Sequence, residues 1–144
     1  MRTDTPYNIK ELFDDIETEN CVYKAVSYHR NGTANKSQWQ IDVFDEIVLF
    51  ANALTLEYIV GTRGWNVLAL NQQLVPIGVT AQGEPSYIGR FSSTGNGEWH
   101  GYPGDYKRSV SDIPHSKVLH KWVENAYITK AAMLRIQLQK PCNL

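Results

Sequence analysis

Cysteine is scarce in this chain: Cys21 and Cys142 are the only two in 144 residues, and they lie near opposite ends. Neither has the spacing of a zinc knuckle or a redox pair, so free thiols are expected rather than a disulfide framework. Long hydrophobic runs are missing as well. The longest, Ile47-Val48-Leu49-Phe50-Ala51, falls far short of the ~20 residues that span a bilayer. No apolar secretory segment opens the chain, which leads to the expectation of a cytoplasmic protein in a reducing compartment, with no membrane partner. Metal-ligand patterns are absent too. His115 and His120 are five residues apart, about 140° around a helix, and so do not share a face. There is no calcium loop, and Gly95-Asn96-Gly97 lacks the lysine and the strand-to-helix setting of a phosphate-binding loop. No metal and no cofactor are expected. Repeats, linkers and low-complexity tracts do not occur either, which leaves a single domain over residues 1–144.

What is present is ordinary globular composition with uneven charge. Residues 1–60 carry five Lys or Arg against ten Asp or Glu, and residues 61–144 carry nine against five. Such asymmetry marks a basic binding face, or else two halves paired across an internal interface.

The pattern along the chain predicts an α+β domain: an antiparallel sheet of four or five strands, an N-terminal helix, a middle helix and a C-terminal helical hairpin. Ile9, Leu12, Phe13 and Ile16 follow helical spacing, with Asn8 as cap and Tyr7 and Leu12 in the staple positions. Asp14, Asp15, Glu17 and Glu19 crowd the solvent side and C-terminal end of that helix, where its dipole disfavours anions. Cys21–Tyr28 reads as a strand, 29–36 as a polar loop, and the alternation of Trp39, Ile41 and Val43 as a second strand, together a hairpin. Phe44, Ile47, Val48, Ala51 and Leu54 fit one helical face, with Asp45, Glu46, Asn52 and Glu57 pointing away; a buried strand is the alternative. Residues 65–70 and 74–80 form a further hairpin, in which Pro76 demands an edge or a bulge. Tyr87–Ser92 makes another strand. Val118, Leu119, Trp122 and Val123 stripe one helix after the start signal at Asp112-Ile113-Pro114, and Thr129 caps a last helix that Pro141 stops.

The stretch from Gly95 to Arg108 draws most attention, because it reads as a loop crowded with glycines, aromatics, His100 and adjacent cations. Trp99, His100, Tyr102, Tyr106 and Arg108 on that loop, with Asp14, Asp15, Glu17 and Glu19 on the first helix, are the candidate contact residues for a protein partner. For Trp99 and Tyr102 the alternative is that they fold back over a sheet edge. The leading expectation is a macromolecule-binding protein, an inhibitor that neutralises a toxin or nuclease. In size, in acidity at one end and in the lack of a complete catalytic set, the chain looks like the small cytosolic immunity proteins that bacteria pair with secreted toxins; no motif carries that likeness.

The second expectation is a metal-independent ribonuclease. His100 acts there as base or acid, Lys107 and Arg108, with Arg90, stabilise phosphorane charge, and Tyr102 or Tyr106 stacks a base. Its second histidine must come from His29, His115 or His120. Ser92, Ser93, Cys21 or Cys142 beside His100 would make a nucleophile pair, but no elbow motif places any of them on a strained turn. A third reading takes nucleic acid as the partner of the C-terminal hairpin, through Lys130, Arg135 and Lys140. A pI near 6.4 lies below the strongly basic range of duplex-binding domains.

Overall fold

Alternating side chains build the centre of this protein. In the computed structural model, which describes residues 1–18 and 20–144, ten strands form: β1 (Pro6–Asn8), β2 (Val22–Lys24), β3 (Gln38–Trp39), β4 (Ile59–Val60), β5 (Arg63–Leu70), β6 (Gln73–Val75), β7 (Gly78–Val79), β8 (Pro85–Ser86), β9 (Ile88–Ser93) and β10 (Glu98–Pro103). Four helices accompany them: α1 (Ile9–Leu12), α2 (Val43–Thr55), α3 (Ser116–Glu124) and α4 (Lys130–Gln137). The protein is thus a mixed α+β fold. Among the described residues no helix is long and apolar enough to cross a membrane.

The main sheet has seven strands, not four or five, in the order β1-β2-β10-β9-β5-β4, with β6 paired to β5. It is also not wholly antiparallel, since β10 runs parallel to β2. β3, β7 and β8 make a separate small sheet. The hairpin expected between the Cys21 and Trp39 segments does not form. After Lys24 the chain leaves the sheet through a 3-10 turn at Ser27–His29, where the Ser27 amide donates to Asp4 Oδ1 at 3.2 Å. The β5–β6 hairpin does form, turning on Asn71 and Gln72, both with positive φ. Pro76 then parts β6 from β7, and the two strands join different sheets.

Each face of the sheet has its own cover. On one face α2 packs Ile47, Leu49, Phe50 and Ala51 against Tyr23, Phe91 and Trp99. On the other, the α3–α4 hairpin packs Leu119, Trp122, Met133 and Ile136 against Trp65, Val67 and Ile88. Strand alternation explains the division: along β9, Ile88 and Arg90 point to the hairpin side, and Gly89 and Phe91 to the α2 side. Thr129 caps α4 as expected, accepting from the Ala132 amide at 3.0 Å, whereas the cap of α3 is His115.

Two helical expectations need correction. Asn8 does cap α1, accepting from the Glu11 amide at 3.2 Å, yet the helix lasts one turn. Phe13 is extended and Asp14-Asp15 follow, residues whose short polar side chains compete with helical hydrogen bonding. In α2 the burial of two residues is the reverse of what the spacing suggests: Phe44 is 51% exposed and Glu46 is wholly buried. Glu46 is tolerated inside because Tyr23 Oη donates to its Oε2 at 2.5 Å, and Arg30 Nε and Nη2 donate to its Oε1 at 3.1 and 2.8 Å. Burial raises the Glu46 carboxyl, while the Tyr23 and Arg30 hydrogen bonds pull it back.

Candidate functional site

The stretch read as a glycine-rich loop is largely a central strand. Only the ends of it turn, at 94–97 and 104–108; between them β10 pairs with β9 and β2. Its alternation is regular, with Trp99, Gly101 and Pro103 buried and Glu98, His100 and Tyr102 half-buried. Gly101 is required by closeness: a Cβ there would collide with the Phe91 ring and the Tyr23 hydroxyl. Trp99 is packed against Phe50 with ring centroids 5.3 Å apart, so it is a core residue and not a contact anchor.

His100 and Tyr102 point to the opposite face, beyond the reach of the α3–α4 hairpin. There they line an open cavity of about 360 Å³ together with Tyr28, His29, Lys36, Asp105 and Asp112, within the ~300–1,000 Å³ range of small-molecule sites. No residue of α3 or α4 lines it. A second cavity, between residues 80–88 and Cys142, is about 90 Å³, enough for a few waters.

His29 arrives from the 3-10 turn. Its Nδ1–H donates to the Ser37 carbonyl at 2.8 Å, which fixes the neutral tautomer and leaves Nε2 as acceptor; Nε2 has no partner among the described residues. The ring stacks on Tyr102 with centroids 5.3 Å apart. Burial lowers the His29 pKa, the Ser37 hydrogen bond opposes this, and the charges of Lys36 and His100 lower it further. His100 is also lowered, first by burial, with Glu98 raising it and Arg90 and Lys24 lowering it. Both imidazoles are therefore neutral bases at neutral pH.

Beneath them Tyr102 Oη donates to Asp112 Oδ1 at 2.5 Å, and the Asp105 amide donates to Asp112 Oδ2 at 2.9 Å. Arg90, only 4% exposed, donates from Nε to the Ser111 carbonyl at 2.8 Å and stands 3.9 Å from Asp112. Burial and the hydrogen bond to Asp112 hold the Tyr102 phenol well above its ordinary value. At the rim, the Lys36 ammonium lies 5.3 Å above the Tyr28 ring.

Other residues singled out from sequence lie elsewhere. Lys107 pairs with Glu84 at 2.5 Å, and Arg108 pairs with Glu84 and Asp105; neither lines the pocket at His100. Tyr106 donates to the Lys140 carbonyl at 2.9 Å. Asp14 and Asp15 are exposed on the turn after α1 and Glu17 is exposed just beyond it, while Glu19 lies outside the described residues. Lys130, Arg135 and Lys140 are exposed, while Trp122 is sealed in the core. Cys21 and Cys142 are free thiols, and burial pushes the Cys21 thiol up to about 11. His115 and His120 are spent on the α3 backbone, one accepting from the Lys117 amide and the other donating to the Ser116 carbonyl. Among the described residues no cluster of three or more His, Cys, Asp or Glu is placed to hold a metal ion.

Sequence reasoning named His29 only as one of three partners for His100 and missed Tyr28, Lys36 and Asp112 altogether. One signal was legible: the alternation from Glu98 to Pro103 marks a strand that sends His100 and Tyr102 to one side. The fold and the pocket define a mixed α+β protein with an open two-histidine cleft. Compared with protein-family models, curated proteins and solved structures, the chain matches none.

Proposed function

We propose that this protein is a metal-independent ribonuclease whose acid and base are His29 and His100. The observation that carries the reading is that the two imidazoles, from distant segments, line one open pocket with no other hydrogen bond to occupy His29 Nε2 or the His100 ring. His29 Nε2, unprotonated and held by Ser37, takes the proton from a ribose 2′-hydroxyl. The 2′-oxygen attacks phosphorus, and the 5′-oxygen departs with a proton from His100. The products are a 2′,3′-cyclic phosphate and a free 5′-hydroxyl. His100 takes the acid role once protonated: burial, Arg90 and Lys24 disfavour that form and Glu98 opposes them, and a bound phosphate favours it further. The nearby cation is Lys36 instead of Lys107 or Arg108, and Tyr28 offers the exposed ring for a base.

The test is incubation of purified protein with a labelled single-stranded RNA in the presence of EDTA, with mass spectrometry of the ends. Cyclic phosphate termini that vanish in His100→Ala are expected; intact RNA overturns the reading. A second reading has its own observation, the exposed carboxylates of Asp14, Asp15 and Glu17 within one short segment after α1. They suit capture of a basic toxin or nuclease, in which case association slows with added salt and in an Asp14→Lys, Asp15→Lys variant.

A further inference from the structure

Strand register lines up more than the pocket. On the face that carries His100, Arg63 of β5 stands opposite Ser92 of β9, and Ser92 stands opposite His100 of β10. The parallel pairing of Glu98 with Val22 and Trp99 with Tyr23, carried one residue on, sets Lys24 of β2 beside His100. Directly opposed residues share a face, so Arg63, Ser92, His100 and Lys24 form a row across four adjacent strands. The charge of Lys24 acts on His100 and that of Arg63 on Arg90, as this arrangement requires. At ~4.8 Å per strand the row spans about 14 Å.

The cations in this row lack internal partners. Arg63 is exposed and Lys24 half-exposed, and among the described residues neither lies in an ion pair, unlike Arg30, Arg90, Lys107, Arg108 and Lys121. Lys36, also unpaired, stands at the pocket rim. Glu98, two residues before His100 on β10, shares its face; of the pocket's own carboxylates, Asp112 is taken up by Tyr102 and the Asp105 amide, and Asp105 by Arg108 through Oδ2. Free cations on either side of a reactive pocket, with an exposed aromatic ring at its mouth, match a polyanion whose unpaired bases stack.

We infer that the row from Lys24 through His100 to Arg63 is a binding track for a single-stranded polynucleotide, Lys24 and Arg63 holding the phosphates that flank the one at His100. This rests on the ribonuclease reading for its purpose, but it can be tested without cleavage. A base held inside a duplex cannot enter the cavity beside Tyr28, which is why the strand is single.

The experiment measures binding of a fluorescent single-stranded DNA oligonucleotide, which lacks the 2′-hydroxyl and survives, by anisotropy between 50 and 200 mM salt. Lys24→Ala and Arg63→Ala are each expected to weaken binding and to make the plot of log affinity against log salt shallower by about 0.7 per lost contact. The double variant loses about 1.4, while Lys130→Ala on α4 changes nothing. An unchanged slope in the double variant, tighter binding of the matching duplex, or no binding by the wild-type chain overturns the track. Binding with this pattern but without RNA cleavage keeps the track and rejects the ribonuclease. Cleavage that is indifferent to both substitutions does the reverse. Circular dichroism melts of each variant, matching the wild-type chain, assign the loss to the contact and not to unfolding.

Discussion

Two polar clusters are adjacent along the chain and differ in what they leave open. Around Arg30, each guanidinium nitrogen is bonded inside the protein: Nε and Nη2 donate to Glu46, Nη1 donates to the Ile41 carbonyl at 2.8 Å, and Tyr23 caps the other Glu46 oxygen. Around His29, the next residue back, only Nδ1 is bonded among the described residues, and His29 and the half-buried His100 line one open cavity. A buried polar group must be satisfied or the fold loses stability. The first cluster obeys that rule and holds the wall of the pocket to α2. The second leaves ring nitrogens unbonded at an open cavity, and such groups are where a ligand finds bonds to make.

That contrast predicts opposite consequences of substitution. The largest effect falls on activity: His100→Ala is expected to lower the RNA cleavage rate by about 10²–10⁴-fold, with the midpoint of urea unfolding close to wild type. A large loss of stability with retained cleavage would put His100 with the structural groups. Next, Glu46→Ala leaves Arg30 and Tyr23 without their shared partner and is expected to cost about 3–5 kcal/mol in urea denaturation. Smaller in scale, Gly101→Ala forces a Cβ against Phe91 and Tyr23 and is expected to cost about 1–3 kcal/mol by overpacking.

The pH dependence is subtler. His29 and His100 have lowered pKa values in the fold, so between those values and the ordinary imidazole range the unfolded chain binds more protons. Stability therefore falls as the medium is acidified through that window, and denaturant midpoints in His100→Asn show a flatter fall. The same shifts place the optimum of cleavage, which needs one imidazole neutral and one protonated, on the acid side of the ordinary imidazole range. The smallest effect belongs to Glu84→Gln, which cuts the Lys107 and Arg108 pairs on the surface. Cleavage unchanged in this variant is expected, and a drop would return those cations to the site.

Part of this was legible along the chain. The caps at Asn8 and Thr129, the turn at Asn71-Gln72, the middle helix and the C-terminal hairpin all follow from local spacing and turn chemistry, because the groups that make them lie within a few residues. The glycine-rich stretch misled because composition outweighed alternation. Gly101 and Pro103 look like loop residues, yet Gly101 is there for tight packing on Phe91, and Pro103 closes the last pair of β10 with Gly89. Glu46 misled for the opposite reason: its partners, Tyr23 and Arg30, belong to another element, and no helical period reveals them.

By itself, then, the sequence determined the mixed α+β class, the capped starts of α1 and α4, the middle helix and the C-terminal helical pair, since these depend on near neighbours and residue chemistry. Only the tertiary structure decided that His29 meets His100, that Lys107 and Arg108 do not, and that Lys24 and Arg63 share a row. Such meetings are set by strand order and register, which are fixed when the two sides of the sheet are covered at once and not before.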